Sequence, residues 1–226
     1  IRIAVLDTGV CLNHPELQGR LDEGFDCVDL AQGMDSEALK DFVGDYLEMD
    51  PVPDDEVGHG SHVSGIIGGK GIQMPLGVAS ECRIIPVRTL AAMKKGDQII
   101  GAGLEENINY AIKWAVDHKA HVINMSLGVR HEGGGLPHEQ VVEYAKRKGV
   151  TIVAASGNDG RRELYYPGAL PHVIAVGAAT DNGEVAPFST YGDQVTIIAP
   201  GTNILSCFFR DGYAVADIGL KSLGMD

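Results

Sequence analysis

Residues 1–10 read IRIAVLDTGV, an apolar run that stops at Asp7 and a Thr-Gly pair. An apolar run of this length, closed by polar and glycine residues, predicts a buried strand followed by a turn. Residues 59–68, HGSHVSGIIG, mix small and apolar residues and predict a helix packed tightly against a sheet. These two segments are the starting point for predicting both the fold and the candidate site.

Further along the chain, strand-like and helix-like segments alternate with short loops. The predicted strands are RIIPVR at 83–88, HVINM at 121–125, VTIVAA at 150–155, HVIAV at 172–176 and VTII at 195–198; the predicted helices span 104–118 and 139–148, and the acidic segment 29–57 is predicted to be an exposed excursion with one short helix. This alternation predicts an α/β domain with a mostly parallel central sheet. Because function collects at the carboxyl ends of such strands, Asp7, Ser126 and Asn158 become candidates.

The composition bounds the classes of function. A chain of 226 residues with a net charge of −13 is expected to form one domain and, because phosphate binding needs a basic surface, not to bind nucleic acid. No run of 18 apolar residues occurs, so no membrane span is expected. The four scattered cysteines are expected to be buried or partly buried thiols, with one disulfide left open for a secreted protein.

Asp7 and His59 form the first candidate pair. A lone Asp-Thr-Gly is most often a turn, and an aspartic protease would need a second such motif, which the sequence does not contain. A metal site at His59 and His62 is disfavoured because zinc on a helix prefers an i, i+4 spacing with a glutamate. A histidine base oriented by a buried aspartate fits the pattern better.

Asn158 supplies a third candidate, in SGNDG at residues 156–160. A side-chain amide held between glycines is a good donor to a developing oxyanion, although an asparagine beside glycine is also a common turn residue. A nucleotide-binding domain is disfavoured, since no GxGxxG follows the first strand.

Seven segments, taken together and in order, resemble the subtilisin-like serine proteases, or subtilases. They are IAVLDTGV around Asp7, GHGSHVSG around His59, VINMSLG at 122–128, AASGNDG around Asn158, YYPGALPHVIAVGA at 165–178, APFSTYG at 186–192 and IIAPGTNILS at 197–206. An order of Asp, then His, then a late Ser is that of subtilisin. The resemblance covers residues 1–217 and implies a three-layer fold around a mostly parallel sheet.

The resemblance also implies roles for individual residues. Asp7 would orient His59, His59 would act as the base, Asn158 would donate to the oxyanion, and His62 would be structural. An extended substrate would lie between an edge segment and an opposite wall. The edge segment is Gly101, Ala102 and Gly103; the wall is Ser126, Leu127 and Gly128; and Asp159 would lie near the first specificity pocket, either favouring a basic side chain there or sitting solvated on its rim.

The sequence departs from the family at its end. In subtilases a segment like GYAVAD is followed by Gly-Thr-Ser, whereas here residues 212–217 are followed by IGLKSLGMD. Ser222 lacks the flanking glycine and threonine and is not expected to be a nucleophile. We therefore expect a subtilase domain at 1–217, truncated at its C-terminal part, a non-homologous tail at 218–226, no nucleophile and no activity; the alternative is a catalytically dead subtilase fold that binds peptides or a partner.

The remaining expectations concern cofactors, partners and location. The segment at 68–75 lacks the asparagine-bearing loop that holds a tight calcium ion in many bacterial members, so no metal site and no required cofactor are expected. Weak calcium binding by the acidic 41–56 region is left open. The expected partner is a polypeptide substrate or an inhibitory propeptide, outside the cell, with an intracellular location as the alternative.

Overall fold

The computed structural model describes residues 1–131 and 133–217. The strands are β1 (Arg2–Asp7), β2 (Phe25–Asp26), β3 (Phe42–Val43), β4 (Arg83–Arg88), β5 (Ala91–Lys95), β6 (Gln98–Ala102), β7 (Val122–Met125), β8 (Val129–Arg130), β9 (Thr151–Ala155), β10 (Tyr165–Tyr166), β11 (Val173–Ala179), β12 (Ile197–Pro200), β13 (Ile204–Cys207) and β14 (Tyr213–Ala216). The helices are α1 (Ser36–Leu39), α2 (His59–Gly68), α3 (Glu105–Asp117) and α4 (Glu139–Arg147).

The main sheet has seven strands in the order β12-β11-β9-β7-β1-β4-β2. Every neighbouring pair in it is parallel, with β1 between β4 and β7 near its centre. The predicted α/β fold with a mostly parallel sheet is therefore confirmed. Because parallel sheets are covered on both faces, their strands are buried on both sides, as β1 is from Ala4 to Asp7.

Helices cover the two faces of the main sheet, together with the hairpin of β13 and β14 on one of them, and this produces three layers. On one face, Leu6 of β1 packs with Ile112 of α3 and Val142 of α4 in the largest apolar cluster. On the other face, Val5 packs in a second cluster with Val63 of α2 and Cys207 of β13. Consecutive residues of β1 thus serve opposite layers, as the alternation of side chains along a strand requires.

The bounds of most predicted elements agree with the structure, and α2 matches at both ends. Two strands shift: β11 continues to Ala179, and β12 begins at Ile197 instead of Val195. The antiparallel hairpin of β5 and β6, AAMKKGDQIIGA at 91–102, was not predicted. Its first strand is rich in alanine and lysine, which give no strand signal, although its turn contains Gly96 at φ 61°.

Other expectations can be placed on the same structure. All four cysteines are free thiols; Cys11 is partly exposed and the other three are buried. Among the described residues, no helix is long and apolar enough to cross a membrane. Ser222 and the expected tail at 218–226 lie outside the described residues, so the boundary at 217 stays a prediction.

Candidate functional site

Three adjacent parallel strands bring the predicted polar residues to one edge of the sheet. β1 ends at Asp7, β7 ends just before Ser126, and β9 ends three residues before Asn158. The order β9-β7-β1 makes these strand ends neighbours. The carboxyl edge of a parallel sheet is the usual position of a functional site.

Asp7 and His59 are in direct contact. His59 Nδ1 lies 2.6 Å from Asp7 Oδ1, and the side chains are 3% and 0% exposed. Because a carboxylate only accepts, Nδ1 carries the proton and donates it to Asp7, which leaves Nε2 as the basic ring nitrogen. Burial alone would lower the pKa of His59, but the Asp7 charge and hydrogen bond, with a smaller effect of Asp55, raise the pKa above its usual value.

A glycine allows α2 to approach β1 this closely. A Cβ atom added to Gly60 would lie 2.0 Å from the carbonyl oxygen of Gly9 and 3.1 Å from Cβ of Asp7. Any larger residue would separate the helix from the turn that carries Asp7. The small residues that predicted tight packing of α2 are thus the reason that His59 reaches Asp7.

His62 lies on the same helix and has a different environment. It is buried, and its Nε2 lies 3.1 Å from the carbonyl oxygen of Ile204 on β13. The Ser206 hydroxyl returns a hydrogen bond of 2.7 Å to the His62 carbonyl. Burial lowers the pKa of His62, so its charged form is disfavoured between α2 and β13.

Asn158 lines a mainly apolar cavity of about 200 Å³ at the same edge. The cavity is lined by Val63, Ile66 and Ile67 of α2, by residues of β9, β11 and β12, and by Ser126 and Asn158. The turn before Asn158 contains Gly157 at φ 109°, a conformation that favours glycine. The Gly157 carbonyl oxygen accepts a hydrogen bond of 2.9 Å from the Thr190 N–H.

The two segments expected to bind substrate lie beside these groups. Gly101 and Ala102 belong to β6, the outer strand of the three-stranded sheet β3-β5-β6, and Gly103 follows it. A Cβ on Gly101 would lie 2.6 Å from Thr8 Cγ2, so this strand packs against the turn that follows Asp7. Ser126, Leu127 and Gly128 directly follow β7 and lead into β8, which pairs with β10.

Asp159 is engaged by neighbouring side chains. Its Oδ2 accepts from Arg130 at 2.6 Å and from the Tyr165 hydroxyl at 2.7 Å, and Arg161 lies 3.5 Å away. The Tyr165 hydrogen bond, together with Arg130, lowers the pKa of Asp159. The structure therefore places an ionised and already paired carboxylate at this position.

Asp55 is a residue of the site that sequence reasoning did not single out. Its carboxylate accepts hydrogen bonds from Thr8, Val57, Gly58 and Ser61, all around the contact between β1 and α2. A carboxylate placed four residues before the first residue of α2, where it can accept from the helix N-terminus, was the available signal. It was hidden in the acidic run DDE at 54–56.

Three carboxylates of the acidic 41–56 region, those of Asp50, Asp55 and Glu56, accept hydrogen bonds from protein donors. Glu56 binds Arg88 at 2.8 Å and accepts from the Asp45 N–H, and Asp50 accepts from the Val52 N–H at 2.6 Å. Within residues 1–131 and 133–217, no group of three or more His, Cys, Asp or Glu side chains is arranged to hold a metal ion.

A parallel α/β fold with a buried aspartate–histidine pair at the carboxyl edge of its sheet is typical of subtilisin-like hydrolase domains. Comparison with known proteins gives the family: the model of the subtilase family, peptidase S8, matches residues 1–223. The chain belongs to the subtilase family.

Two relatives are proteases that are considerably longer than the part matched by this chain. It is 38% identical over 217 residues to the "Thermophilic serine proteinase" of Bacillus sp. (strain AK1), covering 94% of this chain and 46% of that protein. It is 39% identical over 165 residues to the "Minor extracellular protease Epr" of Bacillus subtilis (strain 168), covering 71% of this chain and 24% of that protein. The chain spans about half the length of the first relative and about a quarter of the second.

A solved structure supports the same assignment. A cold adapted subtilisin-like serine proteinase superposes with a TM-score of 0.75 at 28% sequence identity, covering 99% of this chain and 70% of that one. The similarity extends over the described sheet and both helical layers, which is the predicted three-layer subtilisin-like architecture.

Proposed function

We propose that this chain carries the aspartate, histidine and oxyanion-binding parts of a serine endopeptidase site. The observation that carries the proposal is the buried hydrogen bond of 2.6 Å between His59 Nδ1 and Asp7 Oδ1. A histidine held in one tautomer by a carboxylate is suited to take a proton at Nε2 and to keep the resulting positive charge.

The chemistry follows from these positions. A serine hydroxyl would transfer its proton to His59 Nε2 while its oxygen forms a bond to the carbonyl carbon of a peptide. The imidazolium is stabilised by Asp7, and the negative charge on the carbonyl oxygen is stabilised by the side-chain amide of Asn158. When the tetrahedral intermediate collapses, His59 returns the proton to the leaving amine, and water then releases the acyl group by the same route.

The proposed substrate is an extended polypeptide. β6 is an edge strand whose outer side can pair with an added strand, and the substrate backbone would lie along Gly101, Ala102 and Gly103. Ser126, Leu127 and Gly128 would form the opposite wall. Since Asp159 is already paired with Arg130 and Tyr165, we do not expect it to select a basic side chain.

We further propose that residues 1–226 alone do not hydrolyse peptides. Residues 212–217, GYAVAD, are followed by Ile-Gly-Leu instead of Gly-Thr-Ser. No serine among the described residues is hydrogen-bonded to His59. The chemistry needs no cofactor, and weak calcium binding by the 41–56 segment stays a prediction.

A fluorophosphonate probe, which labels activated serines, tests the proposal. We expect no labelling of the purified chain. We expect labelling when residues 218–226 are replaced by a subtilase segment that begins with Gly-Thr-Ser, and loss of that labelling in its His59→Ala variant. Labelling of the natural chain at Ser222 would overturn the proposed inactivity, and an unlabelled but folded hybrid would count against the peptidase site.

The second candidate is a catalytically dead subtilase fold that binds peptides, favoured by the same departure from Gly-Thr-Ser at 218–220. It predicts that the unlabelled natural chain binds an extended peptide and that His59→Ala leaves this affinity unchanged. The matching relative Epr is named as extracellular, and we propose an extracellular location for this chain as well, where an inhibitory propeptide would be a further partner.

A further inference from the structure

We infer that Asp55 is a positioning residue of the site, which holds the turn after Asp7 and the first turn of α2 in register. Its carboxylate accepts five hydrogen bonds. Oδ1 accepts from the Thr8 hydroxyl and the N–H groups of Val57 and Gly58, and Oδ2 accepts from the N–H and hydroxyl of Ser61. All five distances lie between 2.7 and 2.9 Å.

The first connection runs through Thr8. Its hydroxyl donates to Asp55 at 2.9 Å and accepts from the Gly60 N–H at 2.9 Å. Thr8 immediately follows Asp7, and Gly60 immediately follows His59. A single hydroxyl therefore joins the neighbours of both members of the pair, with Asp55 fixing its orientation.

The second connection runs through Ser61. Its hydroxyl donates to Asp55 at 2.7 Å and accepts from the Cys11 N–H at 2.8 Å. The turn from Asp7 to Cys11 is thus attached to α2 at two consecutive residues, Gly60 and Ser61. Both points use Asp55 as acceptor, so loss of that carboxylate loosens both at once.

Asp55 also supports the charge that His59 acquires. The N-cap residue of α2, Gly58, has no side chain, and the Asp55 carboxylate accepts from the N–H groups at this helix N-terminus. Burial raises the pKa of Asp55, and the hydrogen bonds from Gly58 and Ser61 oppose this shift. The charged or titratable groups around His59 are Asp7 on β1, Asp55 before the helix and His62 on the helix itself. Asp55 adds to Asp7 in raising the pKa of His59, whereas burial disfavours the charged form of His62.

The test is an NMR titration of the His59 ring in the purified chain. The variant is Asp55→Asn, which keeps the size of the side chain and cannot accept at both ends. We expect a lower pKa of His59 and roughly tenfold faster solvent exchange of its Nδ1 proton. The matched control is Asp54→Asn, which removes the same charge from an exposed neighbour and should leave both quantities as in the natural chain.

A folded Asp55→Asn chain with unchanged His59 pKa and unchanged proton exchange would overturn the inference, and so would an equal change in Asp54→Asn. If Asp55→Asn does not fold, Thr8→Val takes its place, since it removes one of the two connections and should produce faster exchange of the Nδ1 proton. Unchanged exchange in Thr8→Val would also overturn the inference. The catalytic meaning rests on the proposed function, but the titration requires neither nucleophile nor substrate. The two proposals can therefore fail separately.

Discussion

Two buried serines on α2 differ in whether their hydroxyl groups are hydrogen-bonded. The Ser64 hydroxyl is fully buried and has no hydrogen-bond partner among the described residues. The Ser61 hydroxyl, also buried, donates to Asp55 and accepts from Cys11. A buried hydroxyl without a partner keeps the cost of its lost hydration, whereas a paired hydroxyl recovers that cost.

We therefore expect Ser64→Ala to raise the free energy of unfolding by about 1 kcal/mol and Ser61→Ala to lower it by roughly 1–2 kcal/mol. Urea unfolding of the two variants beside the natural chain measures both changes. Each variant is the control for the other, because both remove one oxygen from the same helix. Equal destabilisation by the two changes would contradict the account.

Single residues also show where sequence reasoning stops. Asp7 and His59 could be singled out because each follows or begins an element with a strong local signal, and the structure brings them into contact. Asp55 was not, because its position before α2 lies inside the acidic run DDE at 54–56 and its hydrogen bond to Thr8 spans 47 positions. A hydrogen bond of that kind is set by the packing of α2 on β1, which no local pattern records.

At the scale of elements, α2 depends on residues without side chains. A Cβ on Gly60 would lie 2.0 Å from Gly9 O, and a Cβ on Gly65 would lie 2.2 Å from Ser206 Oγ. These two glycines let α2 contact the turn after β1 and the strand β13. The composition predicted α2 with its correct bounds because the same small residues serve both the helix and its packing.

We expect Gly60→Ala to lower the free energy of unfolding by roughly 1–3 kcal/mol or more, since backbone must move to admit the methyl group. It should also lower the pKa of His59 by separating it from Asp7. The control is Gly135→Ala, where no atom lies within 4 Å of the new Cβ and the change should stay within about 0.5 kcal/mol. Thermal unfolding and a histidine titration measure the two effects.

The hairpin of β5 and β6 illustrates the opposite case. Its first strand, β5, has little intrinsic strand preference and is held by antiparallel pairing with β3 and β6. Packing of Gly101 against Thr8 places β6 beside the site. Pairing with neighbouring strands outweighs the weak strand propensity of β5. The residues of this hairpin that adjoin the site could therefore be predicted from the family resemblance and not from the local sequence pattern.

One edge of the main sheet is poorly protected by charge. Among the described residues β12 pairs only with β11, and Ile197 and Ile198 on it are 52% and 43% exposed. Apolar residues on an open edge strand can pair with the edge of another chain, and charges there prevent it. The edge is therefore the part of the described surface where we expect self-association.

We expect Ile198→Lys to reduce concentration-dependent association, as measured by sedimentation velocity, without loss of helical circular dichroism. The control is Val78→Lys at a residue that is 90% exposed and outside the sheets. It adds the same charge and should leave association unchanged. A natural chain that stays monomeric at high concentration would rule out the role of this edge.

The order of the main sheet has a further consequence for synthesis. From its centre outward, β1, β7, β9, β11 and β12 lie side by side in the order in which a ribosome makes them. Each of these later strands finds its neighbour already translated, so on this side of the sheet no strand has to be inserted between two existing ones. Asp7, Ser126 and Asn158 accordingly reach their common edge in the order of their appearance, one strand at a time.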